Sequence, residues 1–92
     1  MTLKDETARV LIRQGNTSVV HMSGRRLPAV AVQGDTLQVL MSECKALLRA
    51  AEAGNLDEAR AVGEIIEDML RPGLDAYAQA VREIESATAA AE

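Results

Sequence analysis

The sequence predicts an α+β fold, a three-stranded antiparallel meander followed by two or three α-helices, and three observations carry that prediction. The first third alternates apolar and polar residues with the period of two expected of half-buried strands. At Gly34-Asp35-Thr36 the period changes to the three-and-four spacing of amphipathic helices. The 92 residues are 48% hydrophobic and 26% charged, which fits one globular domain and excludes disorder as the default state.

The strands come first. From Thr7 to Arg13, Ala8, Val10 and Ile12 fall on one face of an expected strand, with Arg9 and Arg13 on the other. Gln14-Gly15-Asn16-Thr17 has turn chemistry, because Gly and Asn tolerate positive φ. Ser18 to Ser23 is a second β-branched run, and Leu27 to Gln33 follows the Gly24 turn as a third. Pro28 cannot donate to a ladder, which puts it at a strand start or on an edge. The alternation leaves open whether Leu27, Ala29 and Ala31 or Val30 and Val32 face inward. Strands this short and alanine-rich need helices against one face. The sheet part is thus expected over about residues 7–33 and the helical part over about 35–91 of a single domain, 1–92.

Asp35 reads as the N-cap of the first helix, with Gln38 three residues later as in a capping box. Leu37, Leu40, Met41, Cys44, Leu47, Leu48 and Ala51 form its apolar stripe, and Gly54 ends it. Asn55 with Glu58 repeats the cap signature and opens a second helix carrying Leu56, Ala59, Val62, Ile66 and Met69. So short a connection predicts an antiparallel helical hairpin. Pro72-Gly73 either kinks the second helix or separates a third, which carries Leu74, Tyr77, Val81 and Ile84 at nearly heptad spacing. Gly63 inside the second helix costs about 1 kcal/mol relative to alanine, and close approach of another helix, within the chain or across a dimer, would account for it.

Composition excludes several function classes. Sixteen residues are alanine and Tyr77 is the sole aromatic, so no stacking platform for bases or sugars exists. No apolar run reaches the roughly 18 residues of a membrane span, and the amino-terminal residues lack a signal-peptide pattern. A single cysteine, Cys44, cannot close an internal disulfide, which favours a reducing, cytoplasmic setting. The net charge of -4 is unevenly spread. Residues 1–34 carry five basic and two acidic side chains, whereas residues 35–92 carry five basic and twelve acidic ones. The acidic balance argues against nucleic acid as a partner, and an alternative role as a nucleic-acid-associated regulator rests on Arg9, Arg13, Arg25 and Arg26 lining one sheet face.

No catalytic residue, metal ligand or cofactor site is expected. His21 is a lone histidine on the strand parity opposite Val20 and Met22, facing solvent with the arginines. Cys44 lies in an apolar stripe and reads as a small hydrophobe, and nothing in the local sequence supports a triad of Cys44, His21 and Asp35. Glu64, Glu67, Asp68 and Asp75 form the densest charge cluster, with Arg60 and Arg71 each four residues from a glutamate, as on a solvated helix face. Gly34-Asp35-Thr36 at a helix start serves a cap better than an anion site, because Asp35 repels anions.

The segment from Arg26 to Leu37, with Arg26, Pro28 and Gln33-Gly34-Asp35-Thr36-Leu37, resembles the core of an uncharacterised family of small bacterial proteins over about residues 8–50. It is also similar to the strand-to-helix junction of HicB-type antitoxins, where Pro28, Gly34, Asp35 and Thr36 match and Ala29 departs. That second resemblance implies a protein partner. No DNA-binding tail follows the first helix, so it does not imply DNA binding.

The residues and the resemblances together give a non-enzymatic protein-interaction module without cofactors, binding itself as a homodimer or binding another protein in the manner of an antitoxin or immunity-type partner. The expected interaction residues are Glu64, Glu67, Asp68, Tyr77, Val81 and Ile84, with Asp35 and Asn55 as structural caps.

Overall fold

The computed structural model describes residues 7–91 and has the expected α+β architecture. Strands β1 (Ala8–Gln14), β2 (Thr17–Met22) and β3 (Ala29–Val32) form an antiparallel sheet in that order. Helices α1 (Gly34–Glu52) and α2 (Leu56–Ala91) follow. Gly15, at φ 60°, turns β1 into β2 through the two residues between Gln14 and Thr17. Asn16 does not take a positive φ, the pattern of a hairpin turn with glycine at its first central position. Pro28 directly precedes β3, the edge strand on that side, where no ladder hydrogen bond is lost.

The face of β1 departs from simple alternation. Val10 pairs with Val20 and Ile12 with Val19, which leaves Leu11 as the extra residue of a β-bulge. Side chains alternate with period two, so one inserted residue exchanges the faces beyond it. Val10 therefore lies outward with Val20 and Met22, whereas Ile12 joins Val19 inward. The expected face of Ala8, Val10 and Ile12 is split, and Arg9 and Arg13 are split likewise. On β3, Val30 pairs with Val19 and Val32 with Thr17, so the valines face the helices and Ala29 and Ala31 face away.

Helix α2 is the spine. It runs unbroken for 36 residues through Pro72, so the expected kink or break resolves into a single helix. At about 1.5 Å per residue it spans roughly 54 Å, matching the molecule's longest dimension of 55 Å. Helix α1 packs on α2, as do all three strands. Val19 of the sheet packs with Ala76 and Ala80 of α2, joined by the bulge residue Leu11 and by Ile12 beside it. Alanine at both helix positions lets the strands approach the helix backbone. Gly73 continues that surface, since a Cβ there would meet Val30 and Thr17 at 3.5 and 3.6 Å. In the hairpin, Ala50 of α1 and Val62 of α2 are buried.

The helix ends show one cap as expected and one displaced. Gly54, at φ 72°, lets its own N–H reach the Ala51 carbonyl and the Asn55 N–H reach that of Ala50, a Schellman pair. Asn55 Oδ1 then accepts from the Glu58 N–H at 3.1 Å, so Asn55 caps α2. Asp35 does not cap α1: the helix begins a residue earlier, Gln33 is its N-cap, and no side chain closes that end. Asp35 Oδ1 accepts only from the neighbouring Thr36 N–H, at 2.9 Å, although its charge in the first turn still complements the positive end of the helix dipole.

Candidate interaction surface

Burial divides the apolar residues of α1 into two stripes. Leu40, Cys44 and Leu47 are half-buried and Ala50 is buried, all toward α2. Leu37, Met41 and Leu48, spaced four and seven apart, share an adjoining face and are 53%, 58% and 62% exposed. The sequence placed all of these except Ala50 in one inward stripe. An apolar arc this wide exceeds what one antiparallel neighbour can cover.

Helix α2 repeats the arrangement. Val62, Ile66, Met69, Ala76 and Ala80 point into the chain, whereas Leu56, Gly63 and Leu70 recur every seven residues and Leu74 follows four later on the same side. Leu37 and Leu40 of α1 meet Leu70 and Leu74 of α2, with Val30 and Val32 of β3, around a cleft of about 240 Å³. The two exposed stripes therefore lie on the same side of the hairpin. A second apolar area, Val10 and Met22 with the outward alanines of β3, covers the outer sheet face. Among the described residues thirteen large hydrophobic side chains are exposed, against five apolar ones buried besides Pro28, two of them valine.

The residues expected to mediate interaction do not form one surface. Glu64, Glu67 and Asp68 lie on the solvent face of α2, where Arg60 Nε meets Glu64 Oε1 at 3.4 Å and an Arg71 guanidinium nitrogen meets Glu67 Oε1 at 3.2 Å. These pairs are mostly exposed and contribute at most a few tenths of a kcal/mol each. Tyr77, Val81 and Ile84 are half-buried further along. Val81 and Ile84 close a recess of about 320 Å³ with Arg26 and Leu27 of the β2–β3 loop. From Asp68 to Val81 the helix rises about 20 Å, so the acidic cluster and the apolar end are separate regions.

The candidate chemical groups are also dispersed. His21 stands on the parity opposite Val20 and Met22, but that is the inward parity of Val19 and not the expected solvent face; it is half-buried, and its Nε2 lies 2.6 Å from the Arg25 carbonyl. A carbonyl only accepts, so Nε2 carries the hydrogen. That bond and the Arg25 N–H to the Met22 carbonyl, at 3.2 Å, pin the β2–β3 turn. Cys44 is a free, half-buried thiol nine residues beyond Asp35 on α1, an axial separation of about 13 Å. No triad of these residues is assembled. Among the described residues no group of three His, Cys, Asp or Glu side chains converges on a metal position. No described helix is long and apolar enough to cross a membrane.

A small α+β protein is thus defined, with a single long helix that carries a sheet at one end and a partner helix at the other. The chain belongs to a family of unknown function, DUF6959, whose model matches residues 3–88. No curated protein matches it, and no solved structure does.

Proposed function

We propose that the protein is a non-enzymatic interaction module that works as a homodimer and, through its remaining surface, binds a protein partner of the antitoxin or immunity type in a reducing, cytoplasmic compartment. The observation that carries the self-association reading is the excess of surface. A monomer of 9.8 kDa is expected to expose about 5,200 Å², and this chain exposes 7385 Å². The excess of about 2,200 Å² exceeds the roughly 800 Å² per partner that a specific interface buries, and large aliphatic side chains contribute to it. The partner reading draws on the Arg26 to Leu37 resemblance and the free thiol Cys44 supports the compartment. The regulator that would grip nucleic acid with one basic sheet face draws no support, since the bulge sends Arg9 and Arg13 to opposite faces.

Light scattering on the purified chain, alongside affinity capture from its source cell, tests the reading. A particle of twice the chain mass is expected, with or without a stoichiometric second polypeptide. A monomer at micromolar concentration that binds no apolar-surface dye would overturn it.

A further inference from the structure

We propose that two copies of the chain dock through one face of the helical hairpin, formed by Leu37, Met41 and Leu48 of α1 with Gly63, Leu70 and Leu74 of α2, and that Gly63 marks the closest approach between them. This rests on the self-association reading and locates its interface. Gly63 is an observation independent of exposure. It sits within α2 without a positive φ, so its backbone does not need glycine. Among the described residues nothing beyond its own helical turn lies within 4 Å of the position its Cβ would take, so no packing seen within the chain needs it either. A helix-interior glycine reduces helix propensity relative to alanine, and close passage of another helix is the remaining physical use for the missing side chain. Gly73 provides the contrast, because its absent Cβ faces Val30 and Thr17 of the same chain.

The surroundings of Gly63 favour a second copy over a different occupant. Toward the closed end of the hairpin the face holds Leu48, and toward its open end Leu37, Leu70 and Leu74 border the apolar cleft. The neighbouring charges of α2 are already paired within the helix, Arg60 with Glu64 and Arg71 with Glu67. On α1 the rim carries Lys45, Arg49 and Glu52, so the apolar centre is bordered by four basic and three acidic side chains, close to balance, the anatomy of a protein interface. A strongly basic or acidic partner would find little net charge to complement, and an identical copy would bring charges of both signs to the rim. A two-fold axis across this face brings two hairpins together as four helices, an arrangement that buries identical surfaces on both copies. The surplus exposure of about 2,200 Å² per chain is enough for an interface in the range of obligate homodimers.

The test is sedimentation equilibrium on the full chain and three variants, with far-UV circular dichroism to verify folding. Gly63→Ala promotes helix, so it leaves the hairpin folded, yet it is expected to raise the dimer dissociation constant by at least about tenfold, because two methyl groups overpack the crossing. Leu70→Glu places a charge on the face and is expected to abolish the dimer while retaining helicity. Ile65→Glu alters a residue of the same 47% exposure on a different flank of α2 and is expected to leave dimerisation unchanged. A wild-type dimer unmoved by Gly63→Ala and Leu70→Glu, or broken by Ile65→Glu alone, would overturn this interface and leave self-association standing. A wild-type monomer would end both.

Discussion

Asn55 and Asp35 are both short polar residues near a helix start, yet only Asn55 reaches a backbone donor of the first turn. The difference lies in position. Asn55 directly precedes Leu56 and follows the left-handed Gly54, so its side chain points along the new helix. Asp35 stands two residues past the cap, because Gln33, just after β3, takes φ −59° and ψ 141° and the chain winds into helix at Gly34. An N-cap replaced by alanine typically costs about 1 kcal/mol, whereas a surface charge in the first turn contributes roughly 0.3–1 kcal/mol. Asn55→Ala is accordingly expected to lower the urea midpoint by more than Asp35→Ala. High salt should erase most of the Asp35 effect and little of the Asn55 effect, since screening acts on charge and not on a neutral hydrogen bond. Equal losses from the two variants in high salt would show that Asp35 caps after all.

At the scale of elements, what the sequence made legible was what local chemistry determines. Three strands, the turn at Gly15, the end of α1 at Gly54 and the start of α2 at Asn55 each follow from residues within a few positions of the feature. What it concealed depends on distant neighbours. The bulge at Leu11 has no glycine or proline to announce it. It forms because both Leu11 and Ile12 find cover against Val19, Ala76 and Ala80. That one residue decides which arginines share a face, so the candidate site was less legible than the fold. The division of α1 into a covered and an uncovered stripe was hidden for the same reason, because Leu37 and Leu40 look alike until α2 is in place.

The passage of α2 through Pro72 is another element-scale outcome. Proline in a helix interior is about 3 kcal/mol less favourable than alanine, through the lost bond to the carbonyl four residues back and the crowding of the ring against it. Here that carbonyl belongs to Asp68. The helix continues because packing on both sides holds it, with Met69 against α1 and Gly73 against the sheet. Pro72 itself is exposed, so its replacement forfeits no burial. Pro72→Ala also gives the unfolded chain more freedom, which offsets the gain by about 0.4–1 kcal/mol. The expected net change is a stabilisation of about 2 kcal/mol, read as a higher urea midpoint with an unchanged slope. A lower midpoint would mean that the proline shapes α2 for its packing on the sheet.

The whole molecule is long and thinly filled. Its radius of gyration is 17.5 Å, where a compact chain of this length would have about 12 Å. Half of the buried side chains among the described residues are alanine, each giving little apolar area, so intrachain packing alone leaves a narrow stability margin. If a second copy supplies part of the missing burial, unfolding and dissociation are coupled and stability depends on protein concentration. A hundredfold increase in concentration then favours the folded dimer by about 2.7 kcal/mol. For two chains of this size that corresponds to a rise in Tm of several degrees, roughly 2–4 °C per kcal/mol. Differential scanning calorimetry over a hundredfold concentration range should show the rise. It should persist at high salt, because the association buries apolar surface and charge screening has little to act on. A Tm independent of concentration would mean that the thin core suffices alone, and a rise abolished by salt would move the interface from the aliphatic stripes to the contrast between the basic front and acidic back of the chain.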